Sequence, residues 1–74
     1  MLEKNVRLSA AKALKLAADQ ADIEFADLQA VDLTLESKGL YDIRFRDEWM
    51  CYTCYIDSLT GEIRGFFTEP LEIV

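Results

Sequence analysis

Residues 49–67, Trp-Met-Cys-Tyr-Thr-Cys-Tyr-Ile-Asp-Ser-Leu-Thr-Gly-Glu-Ile-Arg-Gly-Phe-Phe, decide the fold. Successive side chains of a strand point to opposite sides, so a strand over residues 49–56 places Met50, Tyr52, Cys54 and Ile56 on one face. Asp57 ends that run. Asp and Ser side chains bond their own backbone two residues on, and Gly61 can take the positive φ that closes a short bulged loop. The chain then resumes as a fourth strand, residues 63–67.

Upstream residues fit around this hairpin. In residues 28–36, Val31, Leu33 and Leu35 alternate with Asp32, Thr34 and Glu36, the pattern of a half-buried first strand. Ser37-Lys38-Gly39 reverses the chain. A second strand follows with Tyr41, Ile43 and Phe45 on one face and Asp42, Arg44 and Arg46 on the other, and Asp47-Glu48 makes the next turn. Loops this short exclude the crossovers that parallel strands need, so consecutive strands pair antiparallel. Ser9 suits an N-cap, and the alanine-rich run behind it predicts a helix over residues 10–21. Ala10, Ala13, Leu14, Ala17 and Ala21 share one helical face, with Leu16 flanking it. Residues 22–27 form a joint anchored by Ile23 and Phe25.

The expected architecture is α+β: one N-terminal helix packed on a four-stranded antiparallel meander. Its inward set is Val31, Leu33, Leu35, Tyr41, Ile43, Phe45, Met50, Tyr52, Cys54, Ile56, Ile63 and Phe67. On the outer face, Arg44 and Arg46 meet Asp32 and Glu36 as solvated cross-strand pairs. Strands three and four instead turn Trp49, Cys51, Thr53, Tyr55, Arg64 and Phe66 outward. Pro70 cannot donate to a ladder, so residues 68–74 are an edge segment or tail whose Leu71, Ile73 and Val74 need cover.

The run Tyr52-Thr-Cys-Tyr-Ile56-Asp57-Ser-Leu-Thr60-Gly61-Glu62-Ile63 resembles the Y-x-x-x-I-D-x-x-T-G-E-I hairpin that closes PepSY domains. The helix, the joint near Asp27 and the two preceding strands follow that family's order, so the resemblance spans residues 8–67. Asp57, Thr60 and Gly61 are matched positions with a structural role in the turn. Trp49, Cys51 and Cys54 depart from a strand that is usually richer in polar residues. PepSY domains occur in peptidase propeptides and are thought to restrain protease activity, so the resemblance implies a regulatory contact with a peptidase. It carries over no catalytic set. Proteins of this kind are often exported or membrane-attached.

Seventy-four residues with one proline make a single domain. A chain this short buries only about 60% of the surface its unfolded form exposes, a reason to expect a dimer or complex. Fourteen acidic against eight basic residues give a net charge of −6. That excludes a nucleic-acid binder and favours a basic protein surface. The N-terminus lacks a signal-peptide pattern, and the longest uncharged run, residues 49–56, falls far short of the ~20 residues of a membrane span. The expectation is a soluble cytoplasmic protein, or an exported one if a leader was trimmed.

Cys51-Tyr-Thr-Cys54 suggests redox or zinc chemistry, but on a strand the two residues lie about 10 Å apart on opposite faces, too far for a disulfide. Zinc takes about four ligands, and the chain has two cysteines and no histidine. Cys54 reads as a small core residue and Cys51 as a surface one, with no metal or cofactor. Free thiols suit a reducing compartment. Asp47, Glu48, Asp57 and Glu62 sit in wet turns where nothing raises a carboxyl pKa, and Ser9, Ser37 and Ser58 have no histidine to activate them. The chain therefore reads as a non-enzyme.

Three functional readings follow. The first is a protein-interaction module whose binding residues are Trp49, Cys51, Tyr55, Arg64, Phe66, Leu71 and Ile73, since an apolar patch rimmed by charge marks a contact surface. The second is self-assembly through the uncovered face and edge strand. The third is a small acidic inhibitor of a basic, nucleic-acid-binding protein. A one-residue slip in register would bury the outer aromatics instead.

Overall fold

A computed structural model describes residues 7–71. Helix α1 runs Ala10–Ala21, and Ser9 caps it by accepting the Lys12 N–H at 3.1 Å. Asp22 ends it in the left-handed conformation, and a single 3₁₀ turn, Phe25–Asp27, leads into the sheet. Strands β1 (Gln29–Leu35), β2 (Leu40–Arg46), β3 (Met50–Asp57) and β4 (Ile63–Pro70) pair antiparallel in the order β1-β2-β3-β4. This is the expected helix on a four-stranded meander. No helix among the described residues is long and apolar enough to cross a membrane.

The core forms where small helix side chains let α1 approach the middle of the sheet. Ala13 and Ala17 are wholly buried against Tyr41, Ile43 and Phe45 of β2 and Cys54 and Ile56 of β3. Burying an isoleucine such as Ile43 or Ile56 stabilises by about 1.5–3 kcal/mol. The helical face is rotated slightly from the expected one: Ala18 is buried, Ala10 exposed, and Leu14, Leu16 and Ala21 half-buried. An α-helix is about 10 Å across and strands lie about 4.8 Å apart, so one helix covers about two strands. It packs on β2 and β3. The edge strands overhang, which is why Leu35, expected inside, is exposed on β1.

Two β-bulges interrupt the ladders, and the one in β4 corrects the expected faces. In β1, Gln29 lies opposite Arg46 and Asp32 opposite Arg44, so three steps on one strand match two on the other. Ala30 absorbs the extra residue at φ 52°, and Val31, expected inside, is exposed on this edge strand as Leu35 is. In β4, Ile63 lies opposite Ile56 but Gly65 opposite Tyr55, which makes Arg64 the extra residue. A bulge sets two residues against one, and every later side chain changes face. Phe66 therefore sits opposite Cys54 and stacks inside on Tyr52 at 6.0 Å, which in turn stacks on Phe45 at 5.2 Å. Phe67 sits opposite Thr53 on the outer face and is 60% exposed. The expected assignment of Phe67 inward and Phe66 outward is reversed.

The expected ion pairs also change. Arg44 is opposite Asp32, but its guanidinium pairs with Asp42 on its own strand at 3.2 Å. Arg46 lies opposite Gln29 rather than Glu36 and donates to the Asp47 carbonyl.

Candidate interaction surface

The outer face of the sheet is built by the register. Its rows run Asp42, Tyr55, Gly65; then Arg44, Thr53, Phe67; then Arg46, Cys51, Glu69. The rings of Tyr55 and Phe67 meet edge-on, with centroids 6.1 Å apart and planes at 75°. Gly65 makes room for this pair. A Cβ there would come within 3.1 Å of both rings. The result is an aromatic pair on the β3–β4 half of the face, an exposed Phe67 against a half-buried Tyr55, beside the Arg44–Asp42 ion pair on β2.

The residues singled out in the sequence do not fall in one place. Tyr55 and Cys51 lie half-buried on the outer face as expected, and Arg64 stands on the bulge, exposed, donating to Asp57 at 3.3 Å and lying 3.8 Å from Glu62. Trp49 is not in β3. It projects from the β2–β3 turn, 71% exposed. Phe66 is partly buried against the core on the helix-covered face and leaves the candidate surface. Leu71 is half-buried, and its N–H donates to the Trp49 carbonyl at 2.9 Å, carrying the ladder one residue past β4. Ile73 and Val74 lie outside the described residues. Phe67 is the surface residue that sequence reasoning missed, although Gly65 inside a strand was the available sign of a bulge or close approach.

The turn residues act as expected. Asp57 Oδ1 accepts the N–H groups of Leu59 at 2.9 Å and Thr60 at 3.1 Å, Gly61 takes φ 79°, and Thr60 Oγ1 accepts the Glu62 N–H at 3.1 Å. Asp47 repeats the device, with Oδ1 accepting from Trp49 and Met50 at 2.8 Å each and Oδ2 accepting the Tyr52 hydroxyl at 3.2 Å. The Leu59 and Thr60 N–H groups, with Arg64, hold the Asp57 carboxyl below its ordinary value, and the Trp49 and Met50 N–H groups do the same for Asp47. Burial pushes the Cys54 thiol up to about 11, so it stays protonated near neutrality. Cys51 and Cys54 are unbridged, on opposite faces of β3.

A second feature lies at one end of the molecule. The C-terminal end of α1, the 3₁₀ turn, the start of β1 and the β2–β3 turn enclose an open groove of about 610 Å³. Trp49 stands on it, with Ile23 and Leu28 as its other large apolar side chains.

No family model and no solved structure matches the chain. The chain is 32% identical over 71 residues to the uncharacterized protein Spy1430 of Streptococcus pyogenes, an alignment covering 92% of this chain and 55% of that protein. The chain thus spans about half the length of the curated relative it matches.

Proposed function

We propose that the chain is a non-catalytic, PepSY-like interaction module that holds a partner protein through the outer face of β3 and β4, with a peptidase as the partner class the hairpin resemblance suggests. The Tyr55–Phe67 pair, with Phe67 exposed, carries this reading. Two rings held together over a glycine and bordered by an arginine have the composition of an interface hot spot. The chemistry around them favours holding over turnover: the turn carboxylates are occupied by backbone N–H groups, and the buried thiol is protonated. The test is inhibition of a panel of purified metallo- and serine peptidases. At least one should lose activity saturably, and Phe67→Ala should weaken the effect roughly thirtyfold, the loss of one hot-spot aromatic. No inhibition across the panel, or equal inhibition by the variant, overturns it.

One observation favours a second reading, self-association along β4. The bond from the Leu71 N–H to the Trp49 carbonyl fixes the phase of the β3–β4 ladder, and alternation then turns the N–H and C=O of Phe66 and Thr68 away from β3, toward the open edge. The bulge at Arg64 and the proline at position 70 confine that free edge to a few residues, a common way to block edge pairing. Like charges of −6 also repel two copies. A monomer by light scattering at micromolar concentration removes this reading and leaves the first intact.

A further inference from the structure

We infer that the groove beside Trp49 is a second docking site, for an arginine- or lysine-bearing segment of a protein partner. It uses none of the outer-face residues and stands independently of the reading above. Its lining carries the carboxylates of Asp22, Glu24, Asp27 and Glu48 and no basic side chain. None of these four has an ion pair or a side-chain hydrogen bond among the described residues, whereas Asp47, the fifth, is occupied by its turn. The groove also receives the C-terminal end of α1, the negative pole of its dipole, and no basic residue lies in the last turn to offset it. Cations are therefore drawn to this end from two sources.

The lining says which cation fits. Among the described residues no three carboxylate or thiol groups converge to hold a metal ion, so the negative charge is spread along the groove walls. That suits charges strung along a chain. Trp49, 71% exposed at the rim, offers the best side-chain face for a guanidinium or ammonium group, and Ile23 and Leu28 can take the aliphatic stems. A site of about 610 Å³ accommodates one or two such side chains rather than a folded surface.

Trp49 is the one tryptophan of the chain, so its own fluorescence reports the site. The full chain is titrated with a glycine-spaced hexa-arginine peptide, with hexa-glutamate and with calcium or magnesium chloride. The arginine peptide should give a saturable change that weakens severalfold between 50 and 300 mM salt, with the other probes silent. Asp27→Asn combined with Glu48→Gln should bind about tenfold more weakly, the effect of two exposed charges. Both positions are exposed, and circular dichroism checks that the fold is kept. Phe67→Ala should bind as the unaltered chain does. A flat titration, equal affinity in the charge-neutralised variant, loss of binding in Phe67→Ala, or a saturable response to divalent cation alone each overturns the assignment.

Discussion

The two aspartate turns of the central hairpins are built alike and used differently. Asp47 and Asp57 each begin a turn by accepting two backbone N–H groups on one carboxylate oxygen. At the Asp57 end the turn is sewn into the core. Ser58 is wholly buried, its carbonyl accepts the Leu8 N–H at 2.6 Å, its N–H donates to the Gly39 carbonyl at 2.9 Å, and the Tyr41 hydroxyl donates to the Leu8 carbonyl at 2.7 Å. Leu16 and Leu8 lie within 4 Å of where a Gly61 side chain would begin. At the Asp47 end the Tyr52 hydroxyl, the Arg46 guanidinium and the Leu71 N–H bond the turn, but all three come from the sheet itself, and Trp49 is left in water above the groove. Local chemistry makes a turn; the approach of a second element decides whether it becomes scaffold or surface.

The sharpest way to break this comparison is to cut a side chain next to each turn. Ile56, one residue before Asp57, is fully buried, and Ile56→Ala should cost about 2–5 kcal/mol in urea unfolding. Met50, three residues after Asp47, is half-buried, and Met50→Ala should cost clearly less. Equal losses would mean that the two ends are equally packed. Next comes Gly61→Ala. The space is adequate, with Leu16 at 3.6 Å, but φ 79° is left-handed, so the cost is about 1–2 kcal/mol. For a domain of this size each kcal/mol lowers the melting temperature by about 4–8 °C.

Acid titration probes what the turns share. Both carboxyls have folded pKa values below their unfolded ones, so their contribution is fully present above the ordinary value near 3.9 and is lost as pH falls through the lower folded values. Asp47→Asn or Asp57→Asn should each flatten the fall in stability between about pH 4 and 2, and the double variant should flatten it further. An unchanged acid limb in either variant would show that its N–H bonds do not favour the charged form.

How far the sequence could be read follows the same division between local and assembled features. The helix and its Ser9 cap, the meander, the inward faces of β2 and β3 and both aspartate turns depend on spacing and on turn chemistry within a few residues, and they stand where spacing put them. Phe66 and Phe67 traded places because Arg64 is extra only relative to β3, and a single strand's alternation carries no record of its partner. Val31 and Leu35 are exposed because the width of one helix, not the strand's own pattern, limits what is covered. The groove joins residues 22–29 to residues 47–49 of the β2–β3 turn, and no local pattern records that these two stretches meet. Of the surface residues, Tyr55 and Cys51 were legible as outward, while Trp49 was assigned to the strand it only precedes.

Trp49→Ala should have the smallest effect on stability and is the most informative about use. The side chain is 71% exposed, and its backbone N–H, which bonds Asp47, survives the substitution. A surface change away from the core usually stays within about 0.5 kcal/mol, so the urea midpoint should hardly move. A loss well beyond that would mean that the indole closes the open end much as Leu16 and Leu8 close the other, and the contrast between the turns would vanish. With stability unchanged, any binding lost in Trp49→Ala belongs to the indole itself, which makes this variant the clean partner to Phe67→Ala in separating the groove from the outer face.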